Sequence, residues 1–350
     1  MPRKGSVILK EWKGFRKGVD LGGWFSQCDH TEKRYQNFIR KDDFAVIRSW
    51  GADHVRIPVD YDLLEDEQGR PCASGFAHLA RALGYAKENS LNAVIDLHKT
   101  AGFSFDPGEQ ESGFFESEKY QERFCRLWEE IAKRFGDDPE HVAFELLNEV
   151  TEESFMPAWN RIARECIRRI RAFAPETPVL VGGFWHNSAL SVKAIDIPDD
   201  EHLVYNFHCY EPLIFTHQGA YWMPSMDRGF RIPVTAGFGE MEEASCRMLG
   251  PHSSGLAQYP AETHLSADYF IAFFEEAVKA AEKRGVPLYC GEYGVIDNAS
   301  PEDTLAWYRL IHQAFTHYGI GRAAWSYRQM DFGLADGRMD PVRPELIRYL

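Results

Sequence analysis

Eight short apolar runs are spaced along this chain, and longer amphipathic stretches separate most of them. The runs are "GVDLGGW" (18–24), "DHVRIPVD" (53–60), "NAVIDLH" (92–98), "HVAFELLNE" (141–149), "PVLVGG" (178–183), "HLVYNFHCY" (202–210), "PLYCGEYG" (287–294) and "AAWSYRQ" (323–329). Near-continuous apolar cores of this length suit parallel strands covered on both faces. The stretches between them repeat apolar residues at helical spacing. "SEKYQERFCRLWEEIAKRFG" opens on Ser117 with acidic residues and closes on Lys133, Arg134 and Gly136, the charge order a helix dipole favours. Ser300 and Pro301 make a good cap and first-turn pair for the helix that follows. Eight strands with helices between them predict an α/β fold of the (β/α)8 TIM-barrel type. With no linker and no repeat beyond the βα unit, residues 1–350 read as a single domain.

The alternation weakens twice. After "GGFWHN" the helix is short, around 188–195. Between 211 and 262 lies a long Gly- and Pro-rich stretch with little periodicity. An insertion of that length is often functional. Following strand six, it belongs on the face where the strands end.

Formal net charge is −14. That argues against a nucleic-acid or anionic-membrane partner, which needs a concentrated basic surface. The seven cysteines are odd in number and form no C-x-x-C, which favours a reducing compartment. No apolar run approaches the roughly 20 residues that cross a bilayer. The N-terminal apolar run is too short for a signal core. The chain as it stands is expected to be cytoplasmic, or secreted if a signal has been removed.

Barrel chemistry sits at the C-terminal ends of the strands. Reading those ends gives Arg56, His98, Asn148, Glu149, His208, Tyr210, Glu292 and Trp325. Each has a plain alternative: an ion-pair partner for Arg56, core histidines for His98 and His208, packing for Tyr210 and Trp325. A glutamate ending an apolar strand is harder to dismiss, because a buried carboxylate is costly unless paired or used. Glu149 and Glu292 fall on strands four and seven, on opposite sides of the ring. Two opposed carboxyl groups suit glycoside hydrolysis. One must be protonated to release the leaving oxygen. The other must be ionised, to attack the anomeric carbon or to activate water. Arg56 and Tyr210, if bonded to Glu292, would favour its charged form. Asn148 could donate to a sugar 2-hydroxyl.

This ordered set, from "HVRIPVD" to "AAWSY", resembles glycoside hydrolase family 5, the cellulase-type family of (β/α)8 barrels, over about residues 18–329. The resemblance implies a retaining β-glycoside hydrolase. Glu149 takes the acid/base role, in the "NE" that ends strand four. Glu292 takes the nucleophile role. Arg56, His98, Asn148, His208, Tyr210 and Trp325 fill the family's supporting positions. In a retaining enzyme the two carboxyl groups stand about 5–5.5 Å apart. The expected substrate is a β-1,4-glucan of the cellulose type or its oligosaccharides. β-Mannan, xyloglucan and exo-acting β-1,3-glucanase or β-glucosidase activity are the rivals, and "FTHQGAYW" is similar to members acting on β-glucans and β-mannans.

Two loops depart from a compact family member: 98–115, long and aromatic, and 224–262. Both would border the cleft and could restrict it to chain ends or short oligosaccharides, unless they are surface decoration. Trp24, Trp185, Trp222, Tyr327 and Phe103 are candidate sugar-stacking platforms. The chain shows no H-E-x-x-H, G-x-G-x-x-G or Walker A run, so no metal or cofactor is expected. Outside this class stand a barrel that binds carbohydrate without cleaving it, and a lyase or aldolase using Lys99 as a Schiff-base nucleophile. Against the latter, Lys99 reads as a solvated loop lysine.

Overall fold

The computed structural model describes residues 9–106, 108–109, 111–198, 200–250 and 254–350. Its eight strands are β1 Lys17–Asp20, β2 His54–Asp60, β3 Asn92–Lys99, β4 Val142–Glu145, β5 Val179–Gly182, β6 Leu203–Cys209, β7 Leu288–Tyr293 and β8 Gly321–Ala324. They close into a barrel in sequence order. Every neighbouring pair is parallel, with β1 also pairing β8.

Alternation along each strand sorts the side chains into two cores. Val55, Ile57, Phe144, Val181, Leu203 and Phe207 join the large cluster between sheet and helices. Inside the barrel, Val94, Ala143, Leu180, Val204, Tyr289 and Ala323 form a small apolar layer. Phe15 seals its floor, with Trp12 stacked on it at 4.1 Å. One pleat higher the inward positions are polar: Arg56, Asp96, Glu145 and Asn206. The filled barrel is thus dry below and charged above, toward the strands' C-terminal ends.

The main helices are α1 Lys41–Ser49, α2 Ala73–Glu88, α3 Glu118–Phe135, α4 Met156–Ile170, α5 Phe238–Met248, α6 Ala267–Arg284 and α7 Pro301–Tyr318. The Ser300 side chain caps α7, accepting from the Asp303 N–H at 3.0 Å, with Pro301 in the first turn. The short helix expected after strand five is a single 3₁₀ stretch, Ala189–Ala194. None of the helices is long and apolar enough to cross a membrane among the described residues.

Two readings of the sequence need correction. The apolar runs overshoot the strands: β1 stops at Asp20, β4 at Glu145 and β8 at Ala324. Asn148 and Glu149 therefore lie beyond the sheet. The Asn148 N–H still reaches the Leu97 carbonyl at 3.2 Å, so the chain arches over the barrel mouth. The 211–262 stretch also holds more order than its composition suggests. It contains α5, and Gly237 bridges antiparallel to His264. Leu213–Thr216, directly after β6, is a further helical turn with Ile214 and Phe215 buried.

Candidate active site

Arg56 organises the barrel mouth. Its side chain is fully buried. Nε and Nη2 donate to Glu145 Oε2 and Oε1 at 2.6 and 2.9 Å, a two-pronged pairing. Nη2 also donates to Asn148 Oδ1 at 2.8 Å and lies 3.0 Å from Asp96 Oδ2. Nη1 donates to Glu292 Oε1 at 2.8 Å and lies 3.5 Å from Asp20 Oδ1. A buried cation is tolerable only with partners of this kind. Four carboxyl groups around one guanidinium cannot all ionise cheaply, however. Burial pushes Asp20 well above the usual carboxylate range, beyond what Arg56 recovers. Burial likewise lifts Asp96 to about 7. Burial thus favours the protonated form of Asp20, at the edge of the cluster.

Glu149 and Glu292 face each other across this charge. One side-chain atom from each of Glu149, His208 and Glu292 lies within 4.8 Å of the other two. Glu292 receives Arg56 on Oε1 and the Tyr210 hydroxyl on Oε2, the latter at 2.8 Å. Burial drives the Tyr210 phenol well up, so it stays a donor. Glu149 is held by two imidazoles: His208 Nδ1 at 2.8 Å from Oε1 and His186 Nδ1 at 2.8 Å from Oε2. Burial alone would raise Glu149, but His186 and His208 outweigh it and hold the carboxyl well below its ordinary range. His208 Nδ1 also sits 3.7 Å from Glu292 Oε2.

The two glutamates draw the His208 imidazole's pKa upward against burial. Its Nε2 nevertheless has no hydrogen-bond partner among the described residues. Gly291 makes room for that edge of the ring, since a Cβ there would fall 3.0 Å from the nitrogen. A second ring proton there would be stranded. His208 gives its Nδ1 proton to Glu149.

His98 donates to or accepts from Asp96 Oδ2 at 2.5 Å, and burial lowers it to about 4, so it is neutral. The Trp325 ring lies parallel to it, 5.7 Å away. Gly22 makes room for that indole, since a Cβ there would come within 2.8 Å of the ring. All eight strand-end residues read from the sequence thus meet in one place.

The stacking candidates divide. Trp185 is 52% exposed, and half-buried Trp222 stands edge-on to His217 at 5.9 Å, beside the Tyr210 hydroxyl's loop. Trp24 is core: fully buried, stacked on Phe25, its indole N–H spent on the Tyr35 carbonyl. Tyr327 is buried with its hydroxyl on Asp43, and Phe103 is buried against Phe115. None of these three presents an exposed ring face. Lys99 is not a solvated loop residue either; it is buried and paired with Glu109.

Sequence reading missed Asp20, Asp96, Glu145, Asn206 and His186. The first three carry the signal that singled out Glu149, an acid inside an apolar run. His186 carries none, because a backbone turn in "GGFWHN" aims it.

A family profile described as cellulase (glycosyl hydrolase family 5) matches residues 15–331. The chain belongs to glycosyl hydrolase family 5. Cellodextrinase A of Ruminococcus flavefaciens is 45% identical to this family 5 enzyme over 310 residues, covering 89% of the chain and 84% of the relative. Endoglucanase C of Acetivibrio thermocellus is 34% identical over 339 residues, covering 96% and 98%. Endoglucanase Cel5A of Thermotoga maritima shares the fold, with a TM-score of 0.75 at 22% identity over 96% of this chain and 97% of that one. The enzyme is a glycosidase with the retaining mechanism of its family.

Proposed function

We propose that this enzyme hydrolyses β-1,4-linked gluco-oligosaccharides of the cellodextrin type, with Glu292 as nucleophile and Glu149 as acid/base. The carrying observation is the pair itself: carboxyl oxygens within 4.8 Å, one glutamate held by Arg56 and Tyr210 and the other by two imidazoles. That closeness suits direct attack. An inverting pair, at about 6.5–9.5 Å, leaves room for a water between.

Hydrolysis takes two displacements at the anomeric carbon. A Glu292 oxygen attacks the anomeric carbon while Glu149 protonates the departing glycosidic oxygen, giving a glycosyl ester and a shortened sugar. Water then loses a proton to Glu149 and attacks the same carbon, releasing Glu292. Asn148, its Oδ1 fixed by Arg56 and its carbonyl accepting from Asn187 Nδ2 at 2.5 Å, can turn its amide N–H to a sugar hydroxyl. Trp185 and Trp222 offer ring faces to flanking glucose units.

The substrate class rests on the cellodextrinase relative, at 45% identity. Short soluble substrates also fit a reducing interior, where unbridged thiols such as buried Cys125, Cys166, Cys209 and Cys290 persist. The test is a panel of cello-, manno- and laminari-oligosaccharides with products resolved by length. Cleavage of cellotriose to cellohexaose, well ahead of the other two series, is expected. Equal or faster cleavage of manno-oligosaccharides would overturn the glucan assignment.

A further inference from the structure

The turn that carries His186 is built from the left-handed backbone of three consecutive residues, Trp185, His186 and Asn187, at φ of 50°, 54° and 57°. Side chains rarely adopt this region, and it persists only where surroundings enforce it. Here the His186 N–H bonds the Val150 carbonyl at 3.0 Å, and the buried Asn187 amide bonds the Asn148 carbonyl. Both anchors lie in the segment that presents Asn148 and Glu149. The turn therefore fixes one thing relative to Glu149: the His186 ring.

The two imidazoles on Glu149 differ. His208 is buried, and its second nitrogen lies against Gly291. His186 keeps 54% of its side-chain surface open to solvent while its Nδ1 edge is covered by Glu149. Of the two, His186 is the imidazole whose ring opens to solvent, where a second proton is hydrated. We propose that His186 is the proton partner of Glu149: the resting pair is carboxylate and imidazolium, and a sugar settling beside Trp185 returns the proton to Glu149. Covering the exposed ring removes the water that stabilises its charge, so the neutral pair becomes favoured. The proton moves along the existing bond, from His186 Nδ1 to Glu149 Oε2. Glu149 then protonates the leaving oxygen, and His186 stays neutral through the glycosyl ester. When Glu149 later takes a proton from water, that proton passes back to His186 and restores the resting state. This rests on Glu149 being the acid/base.

Other charged groups facing His186 are Glu292 on β7 and His217 after β6, the latter lowered to about 4 by burial and so neutral. Glu152, Glu153 and Lys193, on the turns packed against it, are exposed and solvated. The pair titrates as one unit. Glu149 and Glu292 pull the His186 imidazole up against burial, which keeps the pair's proton to higher pH than a lone carboxyl would.

The experiment compares wild type, His186→Asn and Glu149→Gln on cellotetraose and on 2,4-dinitrophenyl β-cellobioside, whose leaving group needs no proton. Asn tolerates the left-handed turn. For His186→Asn the alkaline limb of kcat/KM on cellotetraose should move down by one pH unit or more. The loss should be at least tenfold at pH 8 and under threefold at pH 5. The pre-steady-state burst on the dinitrophenyl substrate should fall by less than threefold. An unmoved alkaline limb, or equal losses on both substrates at every pH, would overturn the proposal, the latter marking His186 as merely structural. If His186→Asn melts more than a few degrees low, His186→Gln repeats the test. Glu149→Gln checks the underlying reading separately: it should lose cellotetraose turnover and keep the burst. Retained cellotetraose turnover there would sink the acid/base assignment itself, whatever His186 does.

Discussion

Replacing Arg56 by lysine keeps a positive charge in the barrel mouth and removes the fork. The arginine donates to Glu145 twice, to Asn148 once and to Glu292 once, all within 2.9 Å. A lysine ammonium is a point donor and cannot span those groups. We expect it to stay with the Glu145 and Asp96 side, leaving Glu292 with only the Tyr210 hydroxyl. A hydrogen bond to a charged group contributes about 1.5–3 kcal/mol. At about 1.36 kcal/mol per decade, kcat/KM should fall roughly 10- to 100-fold. Losing one such bond also lowers stability by a similar amount. Unfolding entropy near 2.1 cal/mol/K per residue gives about 0.7 kcal/mol/K for this chain, so the melting temperature should drop by about 2–4 °C. Calorimetry and initial rates on cellotetraose measure both from one preparation. Activity within threefold of wild type, with an unchanged melting temperature, would refute the view that the guanidinium fork sets the mouth's geometry.

Three further changes separate structural from functional roles. Trp24→Phe removes a buried indole and its hydrogen bond to the Tyr35 carbonyl, so it should cost about 1–3 kcal/mol on denaturant unfolding while KM for cellotetraose stays put. Trp222→Ala should do the reverse, raising KM by roughly 2- to 12-fold, for a stacking contribution of about 0.5–1.5 kcal/mol, with little change in melting temperature. Asp20→Asn replaces a titratable acid by a neutral amide of the same shape. Because Asp20's folded pKa is raised, wild type loses stability from this group as pH rises above about 3.9, where the unfolded chain releases the proton and the folded one keeps it. Melting curves of the variant relative to wild type should therefore shift upward between pH 4 and pH 7; a constant difference would show that Asp20 is ionised in the fold.

The barrel was legible because parallel strands buried on both faces leave an unmistakable run of apolar residues, and β2 is buried at every position. What the runs do not encode is where pairing stops. "FELLNE" stays apolar past Glu145 because Leu146 and Leu147 remain buried after leaving the sheet. The eight strand-end residues were found because polar groups terminate those runs. Asp20, Asp96 and Glu145 were missed although they interrupt the same runs, since each sits one or more residues before the end, in the layer that neutralises Arg56. Trp24 misled because an indole at a strand end suits either a sugar or a core, and only the three-dimensional position of Tyr35 decides. His186 was beyond reach, because its aim depends on three left-handed residues that no composition signals. Helix α5 hid within a Gly-rich insertion because Gly237 and Gly239 flank its start and only one face is apolar.

The most direct measurement is trapping the glycosyl ester with 2,4-dinitrophenyl 2-deoxy-2-fluoro-β-cellobioside, followed by peptide mass mapping. Attack by Glu292 predicts one fluorocellobiosyl group per chain, on the peptide that carries "YCGEYG" (289–294). A label on the peptide of Glu149, or turnover with inverted anomeric configuration and no label at all, would contradict the account.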